Sequence, residues 1–361
     1  MPPSNSALEL QHISKRFGAI QALHPLNLTL PEGELLAVLG PSGCGKTTTL
    51  RIVAGFEAPD TGTVRIGGRD MTRQPPNKRG LGMVFQNYSL FPHMTVGENV
   101  AFGLRMRGLS PAARATRVRA MLETVRLSGF EDRAIHQLSG GQQQRIALAR
   151  ALAPGPRVLL LDEPLGALDK NLREGMQFEL RQIQRQLGIT SILVTHDQEE
   201  ALTMSDRVAV MSNGAVVQSG PPTEVYDRPR TRFVAEFLGT ANIFAGAVLG
   251  PATPTLTPAW TIALDGGSQA PALSATPLAS GQRVLLAVRP ERLHIGPPAP
   301  GAIQATIHDV VFRGATFAYE LHAPGHEAPL FAYTQSRAAA PGDTVGLSWN
   351  PEAAVILDDA P

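Results

Sequence analysis

The stretch Gly40 to Thr48, GPSGCGKTT, has the residue types and spacing that hold phosphate. It matches G-x-x-x-x-G-K-S/T in full, follows the apolar run LLAVLG, and opens a helical segment, KTTTLRIVAG, which is the context the motif needs. The glycines let backbone N–H groups from Gly43 to Thr48 turn inward around a β-phosphate. Lys46 then bridges the β- and γ-oxygens, and Thr47 offers its hydroxyl to Mg²⁺. All nine positions, Gly40, Pro41, Ser42, Gly43, Cys44, Gly45, Lys46, Thr47 and Thr48, are therefore candidate nucleotide contacts. Cys44 reads as a small filler of the loop. Its place at a helix N-terminus predicts a lowered thiol pKa and ready modification.

A second acidic element, VLLLDEP, spans Val158 to Pro164. A buried apolar strand that ends in two carboxylates is costly unless they have work to do. Adjacent residues at a strand end point in different directions and can divide it. Asp162 holds Mg²⁺ through its water, and Glu163 faces the γ-phosphate and polarises the attacking water. Upstream lies LSGGQQQRIALARAL, residues 138–152. Ser139, Gly140, Gly141 and Gln142 open an amphipathic helix there, and the N–H groups and dipole of such a start favour a second phosphate.

With the phosphate loop, LSGGQ and LLLDEP in this order, residues 8 to about 240 resemble the ATP-binding subunits of ABC transporters. The resemblance implies a cofactor set of ATP and Mg²⁺ and a head-to-tail homodimer. In that dimer Ser139, Gly140 and Gly141 of one subunit cap the γ-phosphate held by Lys46 of the other. It further implies that Phe17 stacks on adenine, where the alternative is an ordinary core phenylalanine at a strand end. Gln86 corresponds to the glutamine that senses Mg²⁺ and the lytic water. His196 corresponds to the switch histidine, a neutral imidazole that hydrogen-bonds the γ-phosphate and the water of Glu163. Asp169 corresponds to an aspartate that crosses the dimer interface. Gly166 departs from the family, many of whose members carry serine there.

The elements that must position these groups are legible as well. ELLAVLG, GLGMVFQ, RVLLLDEP and TSILVTHD read as buried strands separated by helical segments, which predicts an α/β fold with a parallel sheet, the P-loop NTPase class. Between Gln86 and Leu138, Tyr88, Leu90, Phe91 and Met94 read as exposed apolar groups beside the sensor. They suggest a docking groove, with local core packing as the alternative. By the resemblance, the groove belongs to a helical subdomain at about 87–150 and receives a short cytoplasmic helix of a membrane permease. From 241 the chain turns rich in Pro, Ala, Gly and Thr, followed by alternating segments such as AIQATIHDVVF and FAYELHA that fit half-buried strands. The expected domains are 1–240 and 241–361, the second a small all-β, barrel-like module. AVRPERLHI, FRGATFAYEL and VGLSWNPEAAVIL make it resemble the OB-like (TOBE-type) regulatory domain of importer ATPases, with Arg289, Pro290 and Glu291 matching its R-P-E.

The formal net charge of +1 gives no support to bulk binding of nucleic acid. One cysteine excludes an internal disulfide and fits a reducing cytoplasm. No leader is visible, and no apolar run approaches the ~18–20 residues needed to cross a bilayer. The expected location is peripheral, at the cytoplasmic face of a bacterial inner membrane. The resemblance implies as partners two permease subunits and a periplasmic or extracellular solute-binding protein. The segment from Leu172 to Gly220, with FVAEFLGTANIF after it, looks most like polyamine (spermidine/putrescine) importers. Ferric-iron, phosphonate and sugar importers share parts of it. Soluble ABC ATPases of DNA repair or translation, and a non-hydrolysing nucleotide switch, are the readings from other classes. The first lacks its long insertions and tandem cassettes here, and the second is opposed by the set Gln86, Glu163 and His196.

Overall fold

The computed structural model describes residues 6–166, 170–251, 259–274, 277–299 and 302–359. The chain divides into two compact units, 1–222 and 223–361.

The first unit opens with two long antiparallel strands, β1 (Ser6–Phe17) and β2 (Ile20–Pro31). β3 (Leu35–Leu39) is buried at every position, as a strand covered on both faces must be. The glycine loop leads from it into α1 (Lys46–Ala54). β4 (Thr61–Ile66) and β5 (Arg69–Asp70) join the first two strands in a sheet of order β2-β1-β4-β5. β6 (Leu81–Val84) precedes three helices, α2 (Val96–Met106), α3 (Pro111–Thr124) and α4 (Gly140–Leu152). Then follow β7 (Val158–Asp162), α5 (Lys170–Leu187), β8 (Thr190–Thr195), α6 (Gln198–Met204), β9 (Arg207–Ser212) and β10 (Ala215–Gly220). The second sheet runs β10-β9-β3-β8-β7-β6 and is parallel except at β10. All four strands expected from the sequence lie in it, and α1 packs its buried Leu50, Ile52 and Val53 into the same core as Leu160 and Val194.

Local chemistry sets the helix ends. Thr95 and Glu98 form a reciprocal capping box on α2, and Ser110 caps α3 with Pro111 in its first turn. α1 ends at Gly55, whose left-handed φ of 85° suits only glycine without strain. The buried Arg79 covers that end, donating to the carbonyls of Ile52 at 2.7 Å and Val53 at 3.0 Å, and also to Gln74 and Thr72.

The second unit begins inside α7 (Pro222–Asp227), at residue 223, and continues with α8 (Arg232–Phe237). β11 (Asn242–Pro251), β12 (Ala259–Leu264), β13 (Gln269–Leu273) and β14 (Arg283–Val288) form a closed barrel with the last strand of the chain. β15 (His294–Gly296), β16 (Ile303–Phe312), β17 (Phe317–His322), β18 (Leu330–Thr334) and β19 (Thr344–Ser348) make a five-stranded sheet, and β20 (Ala354–Ile356) closes the barrel. Phe244, Leu286, Tyr319 and Trp349 share the core between them. The unit starts ahead of the change in composition near 240 because Arg289 gathers the preceding helices. Arg289 is 5% exposed, and its guanidinium lies 4.0 Å from the Tyr226 ring centroid and donates to the carbonyls of Tyr226, Ala235, Gly239 and Thr240.

Candidate active site

The loop from Gly40 to Thr48 is shaped by what its glycines touch. A Cβ on Gly40 would sit 2.3 Å from the Met211 carbonyl oxygen, and one on Gly45 2.6 Å from the Leu23 side chain. Gly45 also has φ 105° and caps α1 without a side-chain hydrogen bond. Lys46 is buried, and its Nζ donates to the carbonyls of Gly40 at 2.7 Å and Pro41 at 3.0 Å. The ammonium thus spans its own loop. Pro41, Ser42, Gly43 and Thr47 are exposed at the mouth, and Thr48 is half-buried. Cys44 is only 4% exposed, which overturns the expectation of a readily modified thiol. It belongs to the hydrophobic core of the first unit, with residues such as Leu23, Val38 and Met211, and the Lys46 ammonium lies 3.9 Å from its sulfur.

The parallel register then places the remaining groups. Leu39 pairs with Thr195 and Asp162 with Val194, so the chain leaves β3, β7 and β8 at one edge of the sheet, the edge where open α/β sheets take ligands. Glu163 is the first residue beyond β7, Gln86 the second beyond β6, and His196 the first beyond β8. They meet. Gln86 Nε2 donates to Glu163 Oε2 at 3.1 Å, and His196 Nδ1 lies 3.2 Å from Glu163 Oε1. Glu163 has φ 45°, unusual for a residue with a Cβ, and its N–H is tied to the Val194 carbonyl at 2.9 Å. Burial pushes the Asp162 carboxyl above the usual carboxylate range, the negative charge of Glu163 adds to this, and Arg51 on α1 opposes it. His196 is held from behind. Thr195 Oγ1 accepts the Asp197 N–H at 3.0 Å and donates to the buried Glu200 at 2.7 Å, while Asp197 caps α6.

The other expected contacts stand apart from this trio. Ser139 caps α4, and Gln142 returns a hydrogen bond to the Ser139 N–H at 3.0 Å, so part of this helix start is satisfied by its own box. Ser139 and Gly140 are exposed, and Gly141 is buried. Phe17 is 47% exposed at the end of β1 with the Lys15 ammonium 5.2 Å from its ring, which excludes the core alternative. Asp169 lies outside the described residues. A Cβ at Gly166 would meet the Glu163 carbonyl oxygen at 3.5 Å, Gln86 Nε2 at 3.7 Å and Glu163 Oε2 at 3.9 Å, ordinary contacts that leave room for a Cβ.

The exposed aromatic groove beside Gln86 is not found in the form expected. Tyr88 is 6% exposed, and Phe91 is half-buried against Phe102, with centroids 4.7 Å apart. The buried Asn99 binds both the N–H and the carbonyl of Phe91, and Arg150 donates to the carbonyls of Tyr88 at 2.8 Å and Ser89 at 2.7 Å. These two residues fix the segment after Gln86, and sequence reasoning passed over both. An asparagine within the first helical turn and an arginine on α4 carry no pattern of their own. A cavity of about 580 Å³ does lie on the helical part, lined by Gly97, Glu98, Phe102, Arg105, Arg114 and Glu131 among others.

A family model described as ABC transporter matches residues 23–166, and a TOBE domain model matches 286–357. The spermidine/putrescine import ATP-binding protein PotA of Thermobifida fusca is 47% identical over 365 residues, which cover 97% of this chain and 93% of that protein. The chain is a member of the ABC transporter ATPase family. The protein of the same name from Rubrobacter xylanophilus is 48% identical to this ABC ATPase over 357 residues, again 97% and 93% of the two chains. Among solved structures, cbiO1 from Clostridium perfringens, described as part of the ABC transporter complex cbiONQ, aligns at a TM-score of 0.58 and 30% identity. It covers 61% of this ABC ATPase and 90% of that chain. The ATP-binding cassette MJ0796, solved as a dimer in a post-hydrolysis state with ADP and phosphate, aligns at 0.52 and 33% identity over 60% of this chain and 98% of its own. The ABC ATPase is a nucleotide-binding enzyme with a β-rich TOBE domain at its C-terminus, and no described helix is long and apolar enough to cross a membrane.

Proposed function

We propose that this ABC ATPase is the ATP-hydrolysing subunit of an importer for polyamines such as spermidine and putrescine. The observation that carries the hydrolytic part is the meeting of Gln86, Glu163 and His196 beside a complete phosphate loop. The choice of solute is supported by relatives bearing the spermidine/putrescine name that match nearly the whole chain.

Phe17 stacks on the adenine, and the N–H groups of the loop enclose the phosphates. Lys46 exchanges its two carbonyl partners for phosphate oxygens, bonds between opposite charges in place of bonds from a charge to neutral carbonyls. Glu163 takes the proton of the attacking water as it adds to the γ-phosphorus in line with the leaving β–γ bridge oxygen. Gln86 orients that water. A His196 Nδ1–H donated to Glu163 leaves a neutral Nε2 able only to accept, so the same imidazole must release Glu163 before it donates to the γ-phosphate. That exchange frees the carboxylate as the nucleotide arrives. Thr47, with its exposed hydroxyl, and Asp162, at the strand end, fit a small divalent cation and would hold Mg²⁺. Magnesium, when bound, neutralises charge on the β- and γ-phosphates. Ser139, Gly140, Gly141 and Gln142 serve the nucleotide of a second copy in a head-to-tail homodimer, and Asp169 crosses between the copies.

Two permease subunits dock on the helical part at about 87–150, at the cytoplasmic face of the inner membrane, and a solute-binding protein feeds them. The functional division follows as 1–240 for ATP and 241–361 for regulation. Uptake of labelled spermidine and putrescine in a deletion strain tests the proposal. High-affinity polyamine uptake is lost while iron and sugar uptake persist. Unchanged polyamine uptake, with ferric-iron or phosphonate uptake lost instead, refutes the solute and leaves the hydrolytic reading standing.

A further inference from the structure

On the outer face of the five-stranded sheet, His308, Glu320 and His322 bring one ligand atom each to within 4.8 Å of one another. We propose that these three side chains form a binding site for a transition-metal dication of the zinc or nickel class. Neither the phosphate loop nor the trio around Glu163 uses them.

The backbone explains why they converge. Along β17, Tyr319 and Leu321 are buried, so Glu320 and His322 point outward together, two residues apart. On β16 the register slips between Ile307 and Asp309: Thr306 pairs with His322 and Ile307 with Leu321, but Asp309 pairs with Glu320. The slip is a bulge, with His308 and Asp309 both facing Glu320. An extra residue in a bulge re-aims its side chain, and His308 is turned over the pair on β17. The rings of His308 and His322 stand edge to face with centroids 5.0 Å apart, and His322 Nε2 lies 3.6 Å from Glu320 Oε1.

Tetrahedral zinc with bonds of about 2.1 Å needs ligand atoms roughly 3.4 Å apart. The carboxylate and one imidazole already stand near that separation, and rotation of the second imidazole closes the rest. The two imidazoles are borderline ligands that suit zinc and nickel, and a single hard carboxylate oxygen beside them is too few for magnesium or calcium, which take all-oxygen shells. Three protein ligands leave a position for water. The site is exposed to solvent, so an ion can enter without any opening of the unit.

The test is isothermal titration of the full chain, first stripped with a chelator, using zinc sulfate and, separately, magnesium chloride. Zinc is expected to bind the wild type at one ion per chain with magnesium giving no signal at this site. His308→Ala and His322→Ala each weaken zinc by about 100-fold or more, and Glu320→Gln weakens it by about tenfold or more. All three positions face outward, so circular dichroism of the variants should match the wild type. Cobalt(II) provides a second readout, a visible absorption band that the double variant His308→Ala/His322→Ala lacks. No zinc binding by the wild type, or equal zinc binding by the wild type and the double variant, overturns the proposal.

Discussion

Replacing Glu163 by Gln isolates what the carboxylate does from what its shape does. The substitution preserves length and can adopt the same φ of 45°. The carboxylate accepts from Gln86 Nε2 at 3.1 Å on one oxygen, and its other oxygen lies 3.2 Å from His196 Nδ1. An amide has one acceptor oxygen, so either Gln86 Nε2 or His196 Nδ1 is left facing its NH₂ group. The Glu163 side chain is 24% exposed, so water relieves the mismatch, and the structural cost falls at the low end of the usual range, about 1 kcal/mol. Loss of a positioned base costs about 10²–10⁴ in rate, which is roughly 2.7–5.4 kcal/mol of barrier. Hydrolysis should thus collapse while fold and ATP binding persist. Phosphate release under single turnover gives the rate, and size exclusion with MgATP gives the assembly, expected to be a trapped dimer. Hydrolysis within a few-fold of wild type, with only monomer on the column, would refute the assignment of Glu163 as base.

Lys46→Ala and Ser139→Arg should each be nearly inactive, and mixing them should restore partial ATPase activity, because a mixed dimer rebuilds one site from the intact Lys46 and Ser139. No recovery from verified mixed dimers would contradict exchange between copies. Cys44, at 4% exposure, should resist maleimide in the native protein with and without MgATP and react only on unfolding; rapid labelling of the folded chain would contradict that burial. Tyr226 is pushed up to about 12 by burial and by its hydrogen bond to Glu291, so the folded state keeps its proton longer than the unfolded chain does. That stabilisation is complete below pH 10 and fades toward pH 12, by about 1–2 kcal/mol after allowance for solvent screening. Ultraviolet titration should show one of the four tyrosines ionising last, and Tyr226→Phe should remove that step.

The phosphate loop, the acidic strand end and the parallel sheet were legible because each is written in contiguous residues. LLAVL is apolar throughout and is buried throughout, and the glycines of the loop fall where a Cβ would strike Met211 or Leu23. The approach of Gln86, Glu163 and His196 followed once the strands were parallel, since all three sit just beyond strand ends. What could not be read was exposure. Tyr88 and Phe91 follow Gln86 and look like a free apolar patch, yet Asn99 and Phe102 on the next helix, and Arg150 far along the chain, bury or pin them. Cys44 failed for the same reason, because its cover comes from tertiary packing. The start of the second unit was hidden because Arg289, far along the chain, holds the helices that precede it.

The left-handed backbone of Glu163 carries a consequence for how this protein can change. A side chain with a Cβ at φ 45° stores on the order of 1 kcal/mol of strain, which the bond to the Val194 carbonyl keeps in place. Glycine or asparagine would relax it, so selection for heat resistance alone would drive position 163 toward residues that have no carboxylate to offer water. With Glu163 as the base proposed above, stability and turnover pull against each other at this one residue, and thermostable variants should be sought elsewhere in the chain.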